Sequence, residues 1–176
     1  MLVLFWENPV ESLGPVASKV RISREMPDGT QSLIARDATW GCYIDPEVDD
    51  VCLKYEIEYA SRDGNVQLTV PDEDVERYVL GSHQAVVTFE RKTIAGVPDS
   101  GRWIEVSDEP FTTGRHYYRF LTNRQGKAIF VLQRKSRVFI RVSGELHALD
   151  TIVPDTRDVD WASLVDNGTF IDVDRR

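Results

Sequence analysis

Leu53-Lys54-Tyr55-Glu56-Ile57-Glu58-Tyr59 carries a large apolar or aromatic side chain at every second position, with a charged residue between each pair. A period of two gathers those four side chains on one face of a strand, whereas a helix would scatter them around its circumference. The same alternation recurs along the chain. Val20 and Ile22 alternate with Lys19, Arg21 and Ser23, and Ala85, Val87 and Phe89 with Val86, Thr88 and Glu90. Val138, Ile140 and Val142 alternate with Arg137, Phe139 and Arg141. Half-buried strands of antiparallel sheets read this way, one face on a core and one toward water.

Turn residues punctuate these runs at short intervals. Pro27-Asp28-Gly29, Asp63-Gly64-Asn65, Asp99-Ser100-Gly101 and Gln125-Gly126-Lys127 supply preset φ angles and residues that accept positive φ. Many short strands joined by such turns predict a sandwich or barrel. No segment sustains a helical period. The best helical candidates are single turns over Asp74–Leu80 and Asp158–Val165. The fold class is therefore all-β: antiparallel β-sandwich units, two in tandem, with only short helical turns.

At 176 residues the chain suits one ordinary domain or two small ones. Pro71-Asp72-Glu73-Asp74 breaks one strand and Gly81-Ser82 precedes the next, which divides the chain into 1–80 and 81–176. One elongated sandwich is the alternative. A faint echo links the halves: Val70-Pro71-Asp72 leads through Asp74-Val75 to Tyr78 and Leu80, and Val153-Pro154-Asp155 through Asp158-Val159 to Trp161 and Leu164.

The formal charge of −8 argues against nucleic acid, which requires a basic face that releases counterions. Arg134-Lys135 with Arg137 and Arg141 form one basic cluster, read as a solvated hairpin end. The longest apolar runs, such as Ala128–Leu132, are too short to span a bilayer. The start, Met1-Leu2-Val3-Leu4-Phe5-Trp6-Glu7, lacks the basic head and long apolar stretch of a secretory signal, so folding in a cytoplasm is expected. Cys42 and Cys52, with scattered His83, His116 and His147, give no metal-ligand spacing, and two reduced thiols are expected.

Catalytic motifs are absent: no nucleophile elbow, no phosphate-binding glycine loop and no paired-histidine zinc helix. The expectation is a protein that is not an enzyme and needs no cofactor. Acidic loops at 45–50, 72–74 and 155–160 could in principle hold calcium, which takes six to eight oxygen ligands, but the EF-hand spacing is missing. Trp6, Trp40, Trp103 and Trp161, with Tyr43, Tyr117 and Tyr118, are candidates for a sugar-stacking platform; core packing is the competing reading.

Val20-Arg21-Ile22-Ser23-Arg24, Asp28-Gly29, Leu33-Ile34-Ala35, Tyr43-Ile44-Asp45 and the Leu53–Tyr59 strand together resemble part of a fibronectin type III-like domain. In the second half, Phe120-Leu121-Thr122-Asn123 followed by Gly126-Lys127-Ala128-Ile129-Phe130-Val131-Leu132 resembles Ig-like or carboxypeptidase-regulatory-like sandwiches. The close, Ile152-Val153-Pro154-Asp155 with Asp158-Val159-Asp160-Trp161, resembles endings of phage tail and neck proteins. These resemblances imply a bacteriophage virion component of tail, neck, decoration or fibre-anchoring type, assembled in the host cytoplasm. Its partners would be other virion proteins or copies of itself, with no nucleic acid and no membrane. Interface hot spots are commonly aromatic or Arg, which nominates Trp6, Trp40, Trp161 and Arg134 as protein-binding residues. The segment 1–9 would serve as a reaching arm or as the first strand of its own sandwich. The alternative function is a carbohydrate-binding module, with a host-surface glycan as partner.

Overall fold

The computed structural model describes residues 1–7, 19–61, 63–112, 117–164 and 170–172. They belong to two compact units, Met1–Leu80 and Gly81–Arg176.

Among the described residues the first unit holds seven strands: β1 (Leu2–Trp6), β2 (Lys19–Glu25), β3 (Gln31–Ala35), β4 (Cys42–Asp45), β5 (Lys54–Ala60), β6 (Val66–Val70) and β7 (Val75–Val79). They form a three-stranded sheet in the order β4-β1-β7 and a four-stranded sheet in the order β3-β2-β5-β6, with every pairing antiparallel. Tyr55, Ile57 and Tyr59 point inward from β5, as their alternation demands, and meet Leu2, Leu4 and Trp6 from β1 and Val20 and Ile22 from β2. The Trp6 indole N–H donates to the Tyr59 hydroxyl at 2.9 Å, and Trp40 sets its ring edge-on to Tyr59 at 5.7 Å.

The second unit holds β8 (Gln84–Lys92), β9 (Trp103–Ser107), β10 (Tyr118–Leu121), β11 (Lys127–Gln133), β12 (Arg137–Val142), β13 (Ala148–Ile152), β14 (Asp158–Leu164) and β15 (Phe170–Asp172). One sheet runs β10-β9-β12-β13 and the other β11-β8-β14-β15. Ala85, Val87 and Phe89 form the buried stripe of β8, and Val138, Ile140 and Val142 that of β12. Phe120 stacks on Phe130 at 4.8 Å, joining the two sheets. All pairings here are antiparallel except one: β14 lies parallel to β8 over seven residues, from Asp158 beside Val86 to Leu164 beside Lys92. A parallel pair needs a long crossover, and the whole stretch between the two strands supplies it.

Both expected helical turns are strands. Asp74–Leu80 contains β7, paired with β1, and Asp158–Val165 contains β14, apart from Val165, which lies outside the described residues. In β14, Asp158 and Asp160 alternate with buried Val159 and Trp161, which is a strand pattern. Among the described residues the helical content is a single 3-10 turn at Asp72–Asp74.

Candidate functional site

The nominated binding residues are placed plainly. Trp6, Trp40 and Trp161 are 4%, 1% and 2% exposed. Each fills the core of its own unit, so none presents a ring to a partner of the folded protein. The physical reason is size: an indole covers more apolar surface inside a small sandwich than any other side chain. Trp40 precedes Gly41, whose φ of +81° turns the chain there, and that turn sends the indole inward. Arg134 is half-buried at the β11–β12 connection, where its Nε donates to the Gln84 carbonyl at 3.0 Å. The rest of the basic cluster is matched by acids. Lys135 pairs with Asp155 at 2.8 Å, Arg137 with Asp150 at 2.7 Å and Arg141 with Glu105 at 2.6 Å.

The acidic loops are largely occupied by the fold. Asp45 is buried and accepts from Arg24 at 2.8 Å, from the Tyr55 hydroxyl at 3.0 Å and from the Glu47 amide at 3.1 Å. Asp50 accepts from the Cys52 amide, and Asp72 from the Tyr55 amide and from Arg77. Among the described residues no three His, Cys, Asp or Glu side chains converge as a metal site. Cys42 and Cys52 are unbridged; burial pushes the Cys42 thiol up to about 12, while Cys52 is exposed. His83 and His147 are exposed, and His116 lies outside the described residues.

A constellation that the sequence did not announce lies on the outer face of the β10-β9-β12-β13 sheet. Arg119, Glu105 and Arg141 stand directly opposite one another on three adjacent strands. One Glu105 oxygen accepts from Arg119 Nη2 at 2.9 Å, and the other from Arg141 Nε at 2.6 Å. The Arg119 guanidinium carbon lies 5.6 Å from the Trp103 ring and 5.7 Å from that of Tyr117. Tyr117 meets Phe111 edge-on at 6.1 Å, and the Arg141 guanidinium covers Phe111 at 4.2 Å. Two cations and three aromatic rings thus surround one carboxylate. Cation–π contacts of this kind each contribute about 0.5–1 kcal/mol where exposed. Arg119 and Tyr117 remain 47% and 41% open, while Tyr118, opposite Val106, points to the other face of the sheet.

Glu105 is 2% exposed. Burial alone would raise its pKa, but the bonds from Arg141, Arg119 and Ser143 outweigh that and hold it below the usual carboxylate value. A depressed folded pKa stabilises the protein above the unfolded value of 4.5, and that contribution is lost as pH falls through the folded value. Glu105→Gln is therefore expected to be less stable than wild type at neutral pH, with the gap closing on acidification below pH 4.5. Urea titrations at a series of pH values measure this. A gap that stays constant with pH would contradict it.

No protein-family model and no curated protein matches the chain. A solved structure to which it is similar is the group B streptococcus pilus 2b backbone protein, at 8% identity and a TM-score of 0.31, covering 96% of this chain and 78% of that one.

Proposed function

We propose that this protein is a non-catalytic structural component that assembles by strand pairing at its sheet edges, in a bacteriophage particle as a minor tail, neck, decoration or fibre-anchoring protein. The observation that carries assembly is the chemistry of the edges. Among the described residues eight strands lie at sheet edges, and six of them contain a charged residue: Asp45 in β4, Arg77 in β7, Arg119 in β10, Lys127 in β11, Asp150 in β13 and Asp172 in β15. The remaining two, β3 (QSLIA) and β6 (VQLTV), carry no charge and no proline, and they are opposite edges of one sheet. Among the described residues no further strand pairs with β3 or β6, and uncharged edges of that kind are templates for another strand, which solitary proteins blunt. One bulge in each pairing is the blunting these two strands retain. Joining β3 of one copy to β6 of the next would continue the sheet head-to-tail, an arrangement that grows rather than closes unless the rotation completes a ring.

Leu33 and Val66, 46% and 47% exposed on these edges, are the places to test it. The wild type is expected to associate with rising concentration in light scattering, whereas Leu33→Lys/Val66→Lys stays monomeric with an unchanged circular dichroism spectrum. A wild type that remains monomeric throughout would remove edge-to-edge self-assembly. The viral setting has its own test, mass spectrometry of purified particles from the source. Stoichiometric presence would support it and copy number would assign the layer; absence would eliminate it.

A further inference from the structure

We propose that the outer face of the β10-β9-β12-β13 sheet binds a carboxylate-bearing sugar, with Arg119 and Arg141 receiving the carboxylate and Tyr117 lying against the ring. This inference is independent of edge assembly, which concerns the other unit.

The charge count comes first. Glu105 is one anion serving two cations, so these three residues retain one positive charge in a protein whose formal charge is −8. Donor capacity agrees. Arg119 gives Nε and Nη2 to Glu105, and Nη2 also reaches the Ser143 hydroxyl at 3.3 Å. Arg141 gives only Nε. Among the described residues, Arg119 Nη1 and both terminal nitrogens of Arg141 have no acceptor. Guanidinium groups bind carboxylates through two parallel bonds, and both are already oriented here by Glu105 and the rings.

The overall negative charge decides which anion fits. A polyacidic protein or nucleic acid would be repelled by the molecule as a whole, whereas a ligand with a single carboxylate meets mainly the local field. The open Tyr117 ring then selects for a ligand with a flat, partly apolar body. A pyranose ring supplies that body with C–H groups on its faces, and hydroxyls that water or the Tyr117 O–H can satisfy. Uronic and sialic acids combine the two features.

Tryptophan fluorescence offers a direct readout, because Trp103 is the half-exposed tryptophan beside the patch while Trp6, Trp40 and Trp161 are buried. The full chain is titrated with methyl glucuronide and with the methyl glycoside of sialic acid, using methyl glucoside as the uncharged control. At least one acidic sugar is expected to bind with a dissociation constant on the order of millimolar or tighter. Arg119→Gln is expected to weaken it about ten-fold or more, since it removes a charge-assisted pair. Tyr117→Ala, outside the buried core, provides a second variant expected to weaken binding should Arg119→Gln fail to fold. Equal binding of methyl glucoside, no binding of either acid, or binding indifferent to both substitutions would each overturn the proposal. So would capture of a short acidic peptide in preference to the sugars, which would make the patch a protein-docking surface.

Discussion

Gly126→Ala is expected to destabilise the second unit by at least about 3 kcal/mol, among the largest effects available to a single methyl group. Gly126 has φ +72°, where an L side chain is strained by about 1–2 kcal/mol. That cost alone would be modest. The larger part comes from packing: a Cβ here would stand 2.3 Å from the Arg91 carbonyl oxygen and 3.1 Å from the Asp99 amide nitrogen. Both are backbone atoms and neither can rotate away. The turn is also tied on both sides, since the Gly126 amide donates to the Asn123 carbonyl and its own carbonyl accepts from the Arg91 amide at 2.7 Å. Relief would have to move β8 at the point where β11 begins to pair with it. Gly29→Ala isolates the backbone component, because Gly29 has φ +82° with nothing within 4 Å of a Cβ. Urea unfolding of the two variants should separate them clearly, with Gly29→Ala costing only about 1 kcal/mol. Similar losses for both would mean that the turn yields.

Arg24→Met should lower stability by about 3–5 kcal/mol, the cost of leaving a buried charge without its partner. Asp45 has a side-chain exposure of 2% and Arg24 one of 9%. Removing the guanidinium leaves Asp45 with the Tyr55 hydroxyl and the Glu47 amide, which do not neutralise it. The pair does not by that argument stabilise the fold relative to an apolar core. Arg24→Met/Asp45→Leu/Tyr55→Phe should regain most of the loss, because no buried charge then remains. Thermal unfolding of the single and triple variants tests both statements. A triple variant as unstable as the single would show that the network contributes through geometry that hydrocarbon cannot replace.

Much of the architecture is legible in the sequence because a strand advertises its buried face locally. Tyr55, Ile57 and Tyr59 could be assigned from seven consecutive residues, and the structure buries all three. Glu105, Arg119 and Arg141 could not. They are 14 and 36 residues apart, and each taken alone is a charged residue in an alternating strand, which reads as a side chain facing water. Only the register of β9 between β10 and β12 brings them opposite one another, and register is a long-range property. The tryptophans failed for a related reason. Local pattern says that an indole is valuable but not whether it is spent inside or outside, and Trp6 and Trp40 found Tyr59, a partner remote in sequence. Trp103 and Tyr117 read in the sequence as two aromatics among seven candidates for a platform, and nothing local to either announces the guanidinium that sits against both.

The direction of β14 has a mechanical consequence. In the first unit β1 and β7 run antiparallel, so tension applied at Leu2 and Val79 acts on one end of the pair and opens it rung by rung. In the second unit β8 and β14 run parallel, so tension entering at Gln84 and leaving past Leu164 pulls the strands along each other in opposite directions. Once the short β15 has peeled from β14, the seven residue pairs between β14 and β8 carry the load together. The same chain therefore holds one unit that unzips and one that must be sheared, and under a stretching force the first should lengthen while the second still holds.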